Sequence, residues 1–174
     1  MKWSLKTIIV LAMHGSPPND VRREELSEFF SLHSRLEMSP VSHSPALESR
    51  YQELSEKIKN WPRTPANDPY HAASYQLAHK LSAEIRLEVV VGFNEFCAPG
   101  IDEALDDAVE KGTSKVIVVT TMLTRGGEHA ERDIAQSVEQ ARERFPDVEI
   151  TYAWPFETEE IARFLAGHVK RLRK

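Results

Sequence analysis

Apolar residues along this chain follow two rhythms. Residues 5–13, LKTIIVLAM, are apolar and β-branched at successive positions, which suits a strand buried on both faces of a parallel sheet. Three more runs repeat the pattern: 87–93 (LEVVVGF), 115–122 (KVIVVTTM) and 148–154 (VEITYAW). Between and after them, apolar residues recur at helical spacing over 70–84 (Tyr70, Leu77, Leu81, with Ile85 just beyond), 101–111 (Ile101, Leu105, Ala108), 128–145 (Ile134, Val138, Ala141, Phe145) and 158–172 (Ile161, Phe164, Leu165, Val169). Strands alternating with helices predict right-handed crossovers. The expected fold is α/β and three-layered, a four-stranded, mainly parallel sheet with helices on both faces.

Residues 17–69 break this alternation and hold seven of the ten prolines. They read as an insertion after the first strand. Leu47, Tyr51, Leu54, Ile58 and Trp61 step by four, three, four and three, the spacing of one apolar helix face. Leu26, Phe29, Phe30 and Leu36 suggest a shorter helix before it, and MSPVSHSP at 38–45 reads as the loop between them. A helical hairpin results, whose Tyr and Trp stripe is expected to pack on the parent domain, with a dimer seam or a lid as alternatives. There is no internal repeat and no low-complexity run.

With 174 residues, 41% of them hydrophobic, the chain is long enough to bury a core as a single domain over 1–174. Its 22 Lys and Arg against 27 Asp and Glu give a net charge of −5, which argues against nucleic acid or an anionic membrane as partner. The single cysteine, Cys97, can close no intrachain disulfide, and no thiolate cluster is present to hold zinc. The apolar stretch 8–13 is too short to span a membrane and falls short of a signal-peptide core. A soluble, unprocessed protein of the reducing cytoplasm is expected.

In an open parallel sheet, ligands bind beyond the carboxyl ends of the strands, near the point where strand order reverses. His14 follows the first strand in MHGS, Glu95 follows the second in NEF, and His129 follows the third in LTRGGEH. One group able to bind metal or move a proton thus falls at the same end of each of three strands. Two imidazoles and a carboxylate suit Co(II), Fe(II), Ni(II) or Zn(II), whereas Mg(II) or Ca(II) would call for more oxygen ligands. Histidine titrates near neutrality and can bind metal or accept a proton in the same place. Gly15, Gly126 and Gly127 allow close approach by something flat or bulky, and a helix starting near Gly127 would offer free amides to an anion. His33 and His43 in the insertion, His71 and His79 near the second strand, and His168 on the last helix read as solvated or packed residues. His33 or His43 would reach the crevice only if the hairpin folds over it.

Taken together, the strand ending in HGS, the segment FNEFCAPGIDEALDDAVEKG and the segment KVIVVTTMLTRGGEHAERDI resemble the sirohydrochlorin chelatases of the small CbiX and SirB type. The likeness covers 4–16 and about 70–174, everything but the insertion. It implies a chelatase-like fold and a lyase that inserts cobalt or ferrous iron, with nickel also admissible, into sirohydrochlorin or a related tetrapyrrole on routes to cobalamin or siroheme. It makes His14 and His129 metal ligands, and His14 also a proton acceptor. Glu95 would touch the macrocycle or assist proton removal, and Thr124, Arg125, Gly126, Gly127, Glu128 and His129 would line the tetrapyrrole. The resemblance implies no cofactor beyond the substrate metal. The family usually follows HGS with a basic and then an acidic residue, where this chain has Pro17 and Pro18. Because the substrate is a polycarboxylate and the protein is acidic, binding would depend on Arg125, Arg132 and helix amides. Larger members of the wider group carry two modules facing each other, so one module implies a homodimer, with the insertion at its seam or over the cleft.

Two enzyme classes fit less well. A histidine phosphatase would carry an Arg where Met13 precedes His14, and a serine hydrolase using Ser16 would need a second glycine after it. A metal or tetrapyrrole carrier on the same fold is the non-catalytic alternative.

Overall fold

A computed structural model describes residues 6–38 and 44–173. His43 and the centre of the expected insertion loop lie outside these residues. The chain runs β1 (Thr7–Met13), α1 (Arg23–Met38), α2 (Pro45–Lys59), α3 (Pro69–Ile85), β2 (Glu88–Phe93), α4 (Ile101–Glu110), β3 (Lys115–Thr120), a π-helical turn (His129–Asp133), α5 (Ile134–Arg144), β4 (Glu149–Tyr152) and α6 (Thr158–Leu172). All four expected strands form, and every pairing is parallel, in the order β2-β1-β3-β4. The β3 and β4 strands end two residues earlier than the apolar runs suggest. Thr121 is exposed, and the bond from Ala153 N–H to the Val118 carbonyl is the last of the β3–β4 ladder.

Strand alternation divides the core. Ile8, Val10 and Ala12 of β1, Val116 and Val118 of β3 and Ile150 of β4 face one side and pack on Leu105 and Ala108 of α4 and Ile134, Val138 and Ala141 of α5. Leu11 and Met13 of β1 and Val91 and Phe93 of β2 face the other side and meet Ala78 of α3. These two layers bury β1 from Ile8 to Met13, as its unbroken apolar run requires.

The insertion forms a hairpin of two long helices, the first of 16 residues and not the shorter one expected. Two of its seven prolines stand at helix starts. Pro45 and Pro69 occupy the first turns of α2 and α3, just after Ser44 and Asp68, whose side chains accept from the N–H groups of Leu47 and His71. Each such cap contributes about 1 kcal/mol. Leu54 and Ile58 of the predicted stripe join Phe29 and Val21 in a core of their own, with Tyr51 and Trp61 at its edge. Phe96, from the loop after β2, packs against this same cluster, so the stripe is core packing and the hairpin is fastened to the sheet domain.

The last helix differs most from expectation. It forms over the predicted residues, yet none of its residues is buried, and Phe164 and Leu172 are 66% and 74% exposed. Among the described residues no helix is long and apolar enough to cross a membrane.

Candidate metal centre

The centre of the sheet fixes the site. The chain passes from β1 to β2 on one side and then to β3 on the other, so the order reverses beside β1. In the register Met13 pairs with Phe93, and the pairing runs on past the strand ends: Asn94 N–H donates to the Met13 carbonyl at 2.8 Å and Glu95 N–H to the His14 carbonyl at 2.9 Å. His14 and Glu95 are therefore brought together by backbone register. Gly15 makes this approach possible. It sits at φ +103°, and a Cβ there would lie 1.8 Å from the Glu95 carbonyl oxygen.

His129 arrives from the other side of β1, on the π-helical turn that precedes α5, where Ile134 N–H reaches back five residues to the His129 carbonyl. The three expected residues converge. His14 Nε2 is 3.8 Å and His129 Nε2 4.0 Å from the same oxygen, Glu95 Oε2, and one ligand atom from each residue lies within 4.8 Å of the others. The two imidazoles meet edge to face, 4.8 Å between centroids. Ligands about 2.1 Å from one ion stand about 3.4 Å apart in tetrahedral geometry and at most about 4.2 Å apart; each histidine is within that span of Glu95, while the full trio, spread over up to 4.8 Å, must close in before all three could share one ion. All three side chains are partly exposed.

Neighbouring groups orient both rings. His14 Nδ1 lies 3.0 Å from the Gly15 carbonyl, which can only accept, and this contact turns Nε2 toward Glu95. His129 Nδ1 lies 2.7 Å from Asp133 Oδ2, and its Nε2 likewise faces Glu95. Asn94 Nδ2 packs 2.9 Å from that Nδ1 and donates to Asp133 at 3.4 Å. Burial opposes ionisation of Asp133, but hydrogen bonds with His129, Asn94 and Arg132 outweigh it and hold the carboxyl below its ordinary range. A carboxylate on the far nitrogen of an imidazole is the usual support of a metal-binding histidine. Sequence reasoning gave Asp133 no role, although its i+4 spacing from His129 puts the two on one helix face. It also missed Tyr70, whose hydroxyl accepts from the His14 N–H at 3.2 Å.

The expected tetrapyrrole-lining residues Thr124, Arg125, Gly126, Gly127 and Glu128 form an exposed loop leading to His129. Gly126 turns the chain at φ +84°, and its N–H is taken by the Glu131 carboxylate at 2.7 Å, so that amide is not free for an anion. Arg132 pairs with Glu128 and with Asp133. Arg125 is exposed and makes no ion pair with a described residue.

The hairpin does fold over the site's flank. A cavity of about 550 Å³ opens between it and the sheet domain, lined by His33 and Tyr51 from the hairpin and by Asn94, Glu95 and Phe96 from the loop after β2. His33 is thus at the crevice, its Nδ1 3.1 Å from the Tyr51 hydroxyl. His71 stacks on Phe93, and burial lowers its affinity for a proton; His79 and His168 are exposed. These three lie outside the convergence.

A model of the CbiX family matches residues 66–171. The chain belongs to the CbiX family. The CbiX match begins in the segment leading into α3 and takes in Glu95 and His129, leaving β1 with His14 and the hairpin outside it. Among curated proteins the chain is similar to a sirohydrochlorin ferrochelatase of Priestia megaterium, 31% identical over 70 residues, which are 40% of this chain and 26% of that protein. It is also similar to a sirohydrochlorin cobaltochelatase of the same organism, 31% identical over 86 residues, 49% of this chain and 27% of the relative. The chain thus spans about a quarter of the length of these relatives. A solved structure of a CbiX protein from Marinobacter aquaeolei VT8 aligns over 95% of both chains at a TM-score of 0.45 and 17% identity.

Proposed function

We propose that this CbiX-family protein inserts a divalent metal ion, cobalt or ferrous iron, into sirohydrochlorin or a related tetrapyrrole. The observation that carries the reading is the convergence of His14 Nε2, Glu95 Oε2 and His129 Nε2 at the carboxyl ends of the sheet, in a chain whose curated relatives are named for that reaction. Nitrogen and carboxylate donors suit Co(II) and Fe(II), and Ni(II) as well. Insertion exchanges one divalent ion for two pyrrole protons. In this reading His14 and His129 hold the ion while the macrocycle approaches, Glu95 takes one proton, and His14 Nε2 takes the second once the ion has left it. Ligands spread this widely suit an ion in transit, because a closed four-ligand site would retain it. Arg125, free of ion pairs among the described residues, is the side chain best placed on the loop to meet a substrate carboxylate.

The test follows the visible spectrum of sirohydrochlorin mixed with the protein and Co(II), Fe(II) or Ni(II). Catalysed insertion is expected with at least one of them. Binding of the tetrapyrrole without insertion above the uncatalysed rate would instead make the protein a carrier.

A homodimer belongs to the same reading. The hairpin's apolar stripe is used up within the protomer, which leaves it the covering role and leaves α6 for the seam. Phe164, Leu165, Val169 and Leu172 are exposed along that helix, with Glu159 and Glu160 in its first turn and Lys170 and Arg171 in its last. Two such helices paired antiparallel about a two-fold axis would bury the apolar face and set each acidic end against a basic one. Light scattering is expected to give a dimer for the wild type and a monomer for Phe164→Glu/Leu165→Glu; a monomeric wild type at assay concentrations overturns the arrangement.

A further inference from the structure

Between the hairpin and α3, one side chain from the insertion gathers every loop that carries the first half of the metal centre. Arg63 lies just past α2 and is 7% exposed. Its Nη1 donates to the Ser16 carbonyl at 2.6 Å and pairs with the Asp68 carboxylate, itself 1% exposed. Its Nη2 donates to the Ile58 carbonyl at 2.9 Å and to the Phe96 carbonyl. Ser16 stands two residues beyond His14, and Phe96 is next to Glu95. Ile58 is in the last turn of α2, and Asp68 caps α3.

Phe96 is one of two described non-glycine residues at positive φ. It holds φ +60°, a region that a phenylalanine rarely enters, in a three-residue turn closed by Cys97 N–H to the Glu95 carbonyl at 2.7 Å. Such a turn persists only where surrounding contacts fix it. Its carbonyl is held by Arg63 and its ring by Phe29 and Phe30 of the insertion, while the His14 ring stacks on it from the site side at 6.3 Å.

We propose that Arg63 is a positioning residue for the metal centre, setting the spacing of His14 and Glu95 through the Ser16 and Phe96 carbonyls and so making the insertion an integral part of the site. The inference rests on the reading of His14, Glu95 and His129 as metal ligands. It depends on the guanidinium itself. The planar fork of arginine serves several acceptors in fixed directions, whereas an ammonium on a shorter stem cannot reach the same set.

The test titrates Co(II) alone into the wild type, Arg63→Ala, Arg63→Lys and Arg50→Ala, following the cobalt absorption bands, with thermal melting of each variant. Arg50 bonds Glu28 and Glu53 within the hairpin and neither of the loop carbonyls that Arg63 holds, and is the control for hairpin stability. Both Arg63 variants are expected to fold, to weaken Co(II) binding at least tenfold and to shift the bands. Arg50→Ala should bind as the wild type does. Millimolar methylguanidinium should restore part of the affinity of Arg63→Ala. Wild-type affinity and spectrum in the Arg63 variants overturns the proposal, as does an equal loss in Arg50→Ala, or failure of both Arg63 variants to fold. Absence of Co(II) binding by the wild type instead removes the metal-centre reading, and the positioning role with it.

Discussion

Gly15→Ala is the sharpest structural perturbation available at the site, because it adds one methyl where two loops touch. At φ +103° an alanine costs about 1 kcal/mol in backbone conformation alone. The methyl would also stand 1.8 Å from the Glu95 carbonyl oxygen and 2.9 Å from its carbon, both backbone atoms. Relief requires the two loops to part by about 1 Å or more, which is enough to lose the hydrogen bond from Glu95 N–H to His14 and to disturb that from Arg63 to Ser16, each contributing about 1 kcal/mol. The total is about 3 kcal/mol, and at about 2–4 °C per kcal/mol for a domain of this size the melting temperature should fall by about 6–12 °C. Displacing a reactive group by about 1 Å can cost about a hundredfold in rate, so metal insertion should fall by a similar factor. Gly112→Ala separates the causes. Gly112, between α4 and β3, also has positive φ, +75°, but a Cβ there meets nothing within 4 Å, so only the conformational cost of about 1 kcal/mol applies. Differential scanning calorimetry with the insertion assay measures both variants. A Gly15→Ala protein that melts and turns over like Gly112→Ala would refute the close approach and the geometry built on it.

Removing the carboxylate behind His129 by Asp133→Ala should weaken Co(II) binding by about 10–100-fold, as measured by calorimetric titration, and an unchanged affinity would dismiss the supporting role. Arg125→Ala should raise the KM for the tetrapyrrole by about tenfold while leaving Co(II) affinity intact, corresponding to one charge-assisted hydrogen bond at an accessible position. The hairpin should loosen in acid. Hydrogen bonds from Arg22 and Lys57 hold the Glu25 carboxyl down to about 2, well below its unfolded value, so its contribution is complete above the ordinary carboxylate range and lost as pH falls through that interval. Trp61 fluorescence should report this between about pH 4.5 and 2. A Glu25→Gln variant with the same acid profile as the wild type would contradict the assignment.

The parts of this molecule legible in its sequence are those where one physical requirement dominates. Successive β-branched and apolar residues make β1 and β3 readable as strands, β1 buried on both faces and β3 alternating between buried and half-buried positions, and the rule for strand carboxyl ends then selects His14, Glu95 and His129. The stripe from Leu47 to Trp61 was equally plain, since its 3.6-residue period has one buried face. What stayed hidden acts through the backbone or through tertiary context. Arg63 stands 47 residues from Ser16 and binds carbonyl oxygens, which have no sequence signature. The γ-turn at Phe96 and the π-helical turn at His129 are likewise imposed by packing and not by local propensity. The apolar period of α6 predicted its helix correctly but could not say what covers it, and among the described residues none buries that face.

The account stands on the roles of His14 and His129, and the most direct measurement is the rate of Co(II) or Fe(II) insertion into sirohydrochlorin by His14→Ala and His129→Ala, at saturating tetrapyrrole and with melting curves in parallel. Both variants should fold, because neither ring is buried in the core, and each should lose at least about a hundredfold in rate, as removal of a metal-binding group requires. Turnover of both variants at the wild-type rate would show that the metal passes through some other part of the molecule.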